Sequence, residues 1–298
     1  MASIDIAKVT KYLPLIDKVY KQASLTALLD TTNGVDFVGA EKIKYAQTSV
    51  DGLKDYSRDS GYDSGAVTVA WKEFDLTQDR GRKFMVDVMD DEESLGIAFG
   101  TLAGEFMRTK VVPELDLYRF HQYATNATEN YATATLNTTN KVKDAIDTAE
   151  YELAEDEIDL NGAILFMSNK AYKLLKGEIN RETQYNAQGV AFDVETYDGM
   201  RIVRCPASRL AFATKDPSTG AWGKDATKGN INFIIIKPEA ICQVVKHEVP
   251  KVISPEANQT ADAWMYFYRI YHDAFAFDNK KGAIYLHKEA DPTTPTNT

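Results

Sequence analysis

The four histidines are the side chains of this sequence best suited to acid–base or metal chemistry, and they are widely separated. His121, His247, His272 and His287 show none of the spacings at which histidines bind zinc. His247 and His272 lie in apolar stretches, where a histidine belongs to a packed strand. The sequence also contains no G-x-S-x-G, H-E-x-x-H or C-x-x-C motif. The histidines therefore predict neither a nucleophilic site nor a zinc site.

Two clusters of carboxylates imitate functional sites. Four aspartates recur at every fourth position: Asp51, Asp55, Asp59 and Asp63. They lack the alternating ligands and the closing Glu of a calcium loop. The acidic run 155–159 is typical of a charged helix end rather than of a glycosidase pair. Gly34 and Gly39 have the spacing of a phosphate-binding loop, but Ala40-Glu41 replaces the Lys-Ser/Thr pair that such a loop needs. We expect no catalytic, cofactor-binding or metal-binding residue, and no enzymatic activity.

The charge and composition exclude several classes of protein. Asp and Glu number 44 against 34 Lys and Arg, a net charge of −10, whereas a protein that wraps DNA by neutralising phosphates is basic. The only cysteines, Cys205 and Cys242, are too few for a disulfide scaffold and are predicted to be buried thiols in a reducing compartment. The N-terminus has no signal-peptide core, and the apolar stretch 95–107 is too short to span a membrane. We expect no membrane partner.

The elements that would position any site begin with two extended segments. Residues 1–34 read as an arm, in which Pro14 starts a helix with an apolar stripe at Ile16, Val19, Tyr20 and Ala23. Residues 41–76 alternate apolar and polar side chains on either side of a polar, Gly- and Asp-rich tip, which predicts a long β-ribbon. An isolated hairpin is only marginally stable in water. The ribbon therefore needs another surface to lie on.

The strongest helix signal follows the ribbon. Four acidic residues, 90–93, begin it, and Pro113 is predicted to kink or interrupt it before it continues to residue 123. Gly96, Gly100 and Gly104 share one face, although each glycine costs a helix about 1 kcal/mol relative to alanine. We predict that this strip allows a close approach by the aromatic strands near the C-terminus.

The remaining residues predict a mixture of helices and strands. Residues 124–140 read as a linker and residues 141–156 as a helix, followed by a strand at 163–167 and a helix capped by Ser168-Asn169. Further strands are predicted at 200–204, 231–236 and 240–246, with a loop at 215–230. The aromatic-rich residues 264–287 read as long strands joined by a turn, and residues 291–298 as a disordered tail.

This order of elements resembles the major capsid protein of tailed bacteriophages, with the Hong Kong 97-like fold. The resemblance rests on NGVDFVGAEKIKY, DGLKDYSRDSGY, LTQDRGRKFMVDVMDDEE, EFMRTKVVPELDLYRF and YRIYHDAFAFDNKKGAIYLH, which are similar to coat proteins of phages of Gram-positive bacteria. It implies an α+β chain divided into an N-terminal arm (1–34), an E-loop ribbon (35–88), a P-domain with the spine helix (89–140 and 247–290), an A-domain (141–246) and a disordered tail (291–298).

The resemblance also implies partners. Copies of the chain would form hexamers and pentamers of an icosahedral shell, assembled in the host cytoplasm, which encloses double-stranded DNA without strong specific binding. A separate scaffolding protein and a portal would assist. The implied contacts between subunits are Arg58, Asp59, Tyr62, Trp71, Arg80 and Arg82, and the implied packing residues of the spine helix are Gly96, Gly100, Gly104 and Pro113. Two alternatives stay open: the shell of an encapsulin nanocompartment, and a hydrolase that uses clustered carboxylates.

Overall fold

The computed structural model describes residues 24–30, 37–38, 42–59, 61–93, 97–137, 141–178 and 196–292 of the chain. The predicted arm helix and residues 293–298 of the predicted tail lie outside these ranges. The helices are α1 (Val88–Glu93), α2 (Ile97–Phe106), α3 (Val112–Asn126), α4 (Val142–Glu155) and α5 (Asn169–Glu178), with a π-helical turn at Met107–Val111 between α2 and α3. None of the helices described is long and apolar enough to cross a membrane.

The strands belong to four sheets. They are β1 (Phe37–Val38), β2 (Lys42–Val50), β3 (Val67–Asp75), β4 (Gln78–Asp87), β5 (Asn130–Thr133), β6 (Ile164–Ser168), β7 (Thr196–Tyr197), β8 (Met200–Cys205), β9 (Ala213–Lys215), β10 (Trp222–Lys224), β11 (Ile231–Ile236), β12 (Ile241–Ile253), β13 (Ala263–Ala276) and β14 (Ile284–Lys288). The strand orders are β1-β2-β3, β10-β9, β12-β13-β4 and β5-β14-β11-β6-β8-β7. This mixture of helices and sheets agrees with the predicted α+β class.

The six-stranded sheet is the centre of the larger core. Every residue of β11 is buried, as its apolar run predicts, because both faces of the sheet are covered. Phe233 and Ile235 pack in the cluster that includes the apolar face of α4, whereas Ile234 and Ile236 pack in the cluster that includes Phe120 of α3. The helix predicted at 141–156 is confirmed, and its buried face consists of Val142, Ile146, Ala149 and Leu153.

The three-stranded sheet β12-β13-β4 is covered on one face by the long helix, which consists of α2, the π-helical turn and α3. Its middle strand, β13, pairs with β12 on one side and with β4 on the other, so β12 and β4 are the edges. Alternate residues of β13 point toward the helix, as expected for a strand. They form one cluster with the helix residues: Ala103, Met107, Val112, Leu115, Tyr266, Tyr268 and Ile270.

The helix passes Pro113 without a break in its helical backbone. Proline has no N–H to donate to the preceding turn, and its ring crowds that turn. The π-helical turn Met107–Val111 widens the helix there, and Pro113 then occupies the first turn of α3, where its missing N–H costs nothing. The predicted interruption is therefore a local change of helix type.

Several elements differ from those inferred from the sequence, while the division into domains stays a prediction. The predicted P-domain segments contribute β5 and β14 to the six-stranded sheet, and the predicted boundary at 246/247 falls inside β12. β13 and β14 look like one aromatic pair in the sequence, yet they lie in different sheets, because the 3-10 segment Asp278–Ala283 carries the chain between them. The predicted loop 215–230 contains part of the β9–β10 hairpin.

Asp291, which the sequence analysis assigns to the disordered tail, is bound to the body. The Asp291 carboxylate accepts a hydrogen bond from the Gly229 N–H at 2.9 Å and from the Lys288 ammonium at 3.0 Å. These bonds hold the start of the tail against the body, because a charged acceptor bonded to a backbone N–H is stronger than a neutral one.

Candidate functional site

The hairpin β2–β3, here called the ribbon, presents uncovered apolar side chains. β2 and β3 pair over nine residues, which confirms the strands predicted in 41–76. Val67, Val69 and Trp71 alternate along β3 and therefore share one face, with 65%, 55% and 68% of their surface exposed. A contiguous exposed apolar patch marks an interaction surface more often than isolated exposed residues do. This face is the strongest candidate surface for binding a partner.

The tip of the ribbon has a local structure of its own. Ser57 and Gly61 bridge to each other, with Gly61 at φ +79°, and the rings of Tyr56 and Tyr62 meet edge to face at 4.9 Å. Tyr62 is 91% exposed, and the predicted contact residues Arg58 and Asp59 are exposed beside it. The predicted tip contacts thus lie together at one accessible end, where only a partner could bury them.

Two of the four regularly spaced aspartates form bonds within the tip itself. The Ala66 N–H donates to Asp51 at 2.8 Å, and the Lys54 ammonium lies 2.8 Å from Asp63. Across the residues that the structure describes, no three His, Cys, Asp or Glu side chains are grouped to hold a metal ion.

The inner half of the ribbon is attached to the body by aromatic rings. Tyr45 stacks on Phe74 at 4.9 Å, and Phe74 stacks on Phe275 of β13 at 4.0 Å. The Tyr45 hydroxyl donates to Asp278 at 3.2 Å, and the amide of Gln47 bonds Asn279. The ribbon therefore leaves the body with a supported base and an unsupported outer half.

Arg80 does not lie free for a neighbouring subunit. Residues 78–87 form β4 rather than a turn, and this strand runs beside the long helix. The Arg80 Nε donates to Glu114 of α3 at 2.9 Å, so Arg80 joins the sheet to the helix within one chain. The contact with a neighbouring subunit that the resemblance implies for Arg80 stays a prediction, and the bond to Glu114 gives this side chain a role within its own chain as well. Arg82 is exposed, and its predicted contact remains a prediction.

The glycine strip does not mark a close approach at the position where its surroundings are described. A Cβ atom at Gly104 would meet no atom within 4 Å. Gly96 lies outside the described residues, and Gly100 lies in α2. The sheet instead receives Ala103 and Met107, which are on the adjacent face of the helix. The predicted packing role is therefore wrong for Gly104.

Two buried histidines and both cysteines are held in their neutral forms. Burial is the main cause that lowers the pKa of His272 to about 3, with Arg119 and Arg80 adding to it, and burial lowers the pKa of His287 to about 4. Burial raises the pKa of Cys242 to about 11 and raises that of the Cys205 thiol as well. The predicted buried cysteines are confirmed as free thiols. Both thiols are inert, because the thiolate is the reactive form.

The fold is shared with proteins whose sequences are very different. No protein-family model and no curated protein matches the sequence. A solved structure from Mycobacterium phage Ogopogo matches with a TM-score of 0.63 at 17% identity, covering 90% of this chain and 92% of that one. The capsid structure of the cyanophage P-SCSP1u matches with a TM-score of 0.60 at 12% identity, covering 89% and 87%. The chain has the fold of a tailed-phage major capsid protein.

The capsid fold is not confined to phage structures. A virus-like particle from Pyrococcus furiosus matches with a TM-score of 0.55 at 15% identity, covering 96% of this chain and 100% of that one. At such identities the comparison establishes the fold alone, since one fold supports different functions. The fold implied by the sequence resemblance is confirmed.

Sequence reasoning missed two buried carboxylates of this capsid fold. Asp116 of α3 and Asp273 of β13 are both buried and bind segments far away in the chain. A buried carboxylate is nearly always paired, so an aspartate within an aromatic strand such as 271–277 is a usable signal. What the sequence does not reveal is which distant segment each aspartate holds.

Proposed function

We propose that this protein is a major capsid protein, which assembles with copies of itself into the closed icosahedral shell of a tailed phage with double-stranded DNA. The observation that carries the proposal is the likeness of almost the whole chain to capsid structures. The shell would consist of hexamers and pentamers and would assemble in the host cytoplasm, with a separate scaffolding protein and a portal. Its role is structural rather than catalytic.

The parts of the chain have distinct roles in this proposal. The ribbon is the E-loop, the three-stranded sheet with the long helix is the P-domain, and the six-stranded sheet is the centre of the A-domain. Residues 1–34 are the N-terminal arm. The net charge of −10 suits a container that encloses DNA without binding it strongly, because like charges repel.

The uncovered face of the ribbon supports a role in assembly. Val67, Val69 and Trp71 each keep more than half of their surface exposed in the described part of the chain, so their burial contributes little to the subunit itself. Burying such side chains against another subunit removes apolar surface from water, at about 25 cal/mol for each Å². Repeated at every contact of a closed shell, this contribution stabilises the whole assembly.

Electron microscopy and sedimentation of the purified full-length chain test the proposal. We expect closed shells from the parent and only small species from Trp71→Glu. The matched control is Thr68→Glu, an exposed residue on the opposite face of β3. Monomers under all conditions, with or without phage scaffolding protein, would contradict the proposal. Shells that enclose a protein cargo instead of DNA would point to a nanocompartment.

Hydrogen exchange provides a second, independent test. We expect fast exchange of residues 50–67 in free subunits and slow exchange in shells. The ribbon base should be protected in both states, because its aromatic rings are attached to the body. Equal protection of the outer ribbon in both states would argue against its burial between subunits.

A further inference from the structure

At its C-terminal end the ribbon is joined to the body by two residues, Leu76 and Thr77. They lie between the end of β3 and the start of β4 and are here called the joint. The ribbon belongs to one sheet and β4 to another, so the orientation of the ribbon depends on the backbone of these residues. Leu76 is buried, and its carbonyl accepts a hydrogen bond from the Tyr271 hydroxyl at 2.9 Å. The joint is therefore enclosed by the body rather than exposed as an ordinary loop.

The buried carboxylate of Asp273 holds this joint. One oxygen, Oδ2, accepts hydrogen bonds from both the N–H and the hydroxyl of Thr77, each at 2.8 Å. The other oxygen, Oδ1, accepts from the Tyr118 hydroxyl at 2.7 Å and from the Ala274 N–H at 2.8 Å. A carboxylate has about four acceptor sites, so Asp273 is fully satisfied by these four donors.

The three side chains come from three different elements. Asp273 lies on β13, Tyr118 lies on α3, and Thr77 lies at the joint. Gln78 adds a hydrogen bond from its amide to the Thr77 hydroxyl at 2.8 Å, and its own amide oxygen accepts from the Trp222 indole at 3.0 Å. The joint is thus fixed from the sheet, from the helix and from the β9–β10 hairpin at once.

A buried charge is a poor means of gaining stability, because its desolvation offsets much of what its bonds contribute. Its bonds are directional, however, and they specify one geometry where apolar contacts would accept several. Apolar packing alone would attach the joint but would not fix the Thr77 backbone. The four directional bonds therefore favour a role in orientation over a role in stability.

The segment 24–30 is held in the same way. The buried carboxylate of Asp116 accepts from the Thr26 N–H at 3.3 Å and from the Thr26 hydroxyl at 2.8 Å. It also accepts from the Ser24 hydroxyl at 2.8 Å and from Arg209 at 3.1 Å. Asp116 is two residues from Tyr118 on α3, so one helix takes part in holding both the segment 24–30 and the joint of the ribbon.

We propose that Asp273 and Tyr118 are positioning residues, which fix the direction in which the ribbon leaves the body and thereby determine whether subunits close into shells. This inference rests on the proposed function. It assigns to two buried side chains an effect on assembly that they exert through Thr77, without contacting a neighbouring subunit themselves.

Distance measurements between spin labels test the inference on unassembled subunits. One label replaces Thr48 on the ribbon and the other replaces Lys173 on α5, both as cysteines at exposed positions. The native cysteines are buried with raised thiol pKa values, so they stay unlabelled. We expect one narrow distance distribution in the parent and a clearly broader one in the double variant Thr77→Val/Tyr118→Phe.

The matched control is Tyr285→Phe, which removes the hydroxyl of another buried tyrosine. Tyr285 lies on β14 of the six-stranded sheet, and its hydroxyl bonds Glu152 of α4. The Tyr285→Phe variant should keep the narrow distribution of distances between the labels, even though its melting temperature falls. We also expect the double variant to lose roughly tenfold in the yield of closed shells, because a small misorientation is repeated at every subunit. Tyr118→Phe alone serves if the double variant does not fold.

An unchanged distance distribution in the variants would overturn the inference, as would a normal yield of normal shells. A variant that broadens the distribution no more than Tyr285→Phe does would show a purely structural role. The distances are measured without assembly, so a failure of the parent to form shells would refute the proposed function while leaving the orientation of the ribbon to be decided separately.

Discussion

The protein contains two long antiparallel hairpins with different surroundings. The ribbon pairs β2 with β3 over nine residues, and the body hairpin pairs β12 with β13 over twelve. β13 is flanked by a strand on each side and covered by the long helix, whereas the outer half of the ribbon has neither. The comparison teaches that similar apolar alternation is buried and stabilises the subunit in one hairpin, whereas it stays exposed in the other, where we propose that a neighbouring subunit covers it.

A pair of matched truncations tests this difference most strongly. Ile270 of β13 is 3% exposed in the cluster beneath the helix, and Val69 of β3 is 55% exposed. We expect Ile270→Ala to lower the free energy of unfolding by about 2–5 kcal/mol through the lost contacts and the remaining cavity.

Val69→Ala should change the free energy of unfolding of the subunit by no more than about 0.5 kcal/mol. It should instead reduce the yield of shells. Denaturant unfolding of unassembled subunits measures the change in the free energy of unfolding for both truncations, and sedimentation measures the yield of shells. Comparable destabilisation by the two truncations would show that the ribbon is part of the folding core.

Acid should destabilise the body hairpin through His272. Its pKa is lowered to about 3 in the folded protein, against about 6.5 when unfolded, so the unfolded state alone binds a proton between these values. The contribution is fully present above pH 6.5 and is lost as the pH falls, at about 1.4 kcal/mol for each pH unit.

The measurement is the free energy of unfolding against pH for the parent and for His272→Phe. The parent curve should fall more steeply between pH 6.5 and pH 4, by the amount that one imidazole contributes. Parallel curves would mean that His272 accepts its proton in the folded protein. The Tyr118 ring meets His272 edge to face at 5.6 Å, which is a geometry that phenylalanine can reproduce.

The two arginines of β4 should separate folding from assembly. Arg80 and Glu114 are both mostly buried, so Arg80→Gln should lower the free energy of unfolding by about 1 kcal/mol. Arg82 is exposed, and Arg82→Gln should leave unfolding unchanged. Thermal melts and shell yields of the two variants decide this. A loss of shells with Arg82→Gln would support the contact predicted there.

The smallest effect is expected on the helix. A Cβ at Gly104 has open space around it, so Gly104→Ala should raise the free energy of unfolding by up to about 1 kcal/mol. Gly81 of β4 is the control, because a Cβ there would lie 3.1 Å from the Tyr268 carbonyl oxygen, and Gly81→Ala should destabilise. If Gly104→Ala lowers the free energy of unfolding instead, the packing role that the sequence predicts for Gly104 would be supported.

Local pattern predicted most of the elements. The ribbon strands, the buried strand β11 and the inward face of α4 follow from side-chain periodicity, which depends only on neighbouring residues. The open space beside Gly104 and the pairing of Arg80 with Glu114 could not be predicted, because both depend on the neighbour across the fold. The Arg80–Glu114 pair joins residues 34 positions apart, and the bond between Tyr118 and Asp273 spans 155 positions. No local pattern encodes such pairs.

The outer edge of β12 has a consequence for the solubility of the subunit. An edge strand of thirteen residues offers its free backbone groups to any other strand, and such pairing leads to aggregation. Pro250 lies in the middle of this edge and cannot donate a backbone hydrogen bond, and Lys246 and Lys251 place positive charge beside it. The body hairpin is thereby protected against pairing with the strands of other molecules.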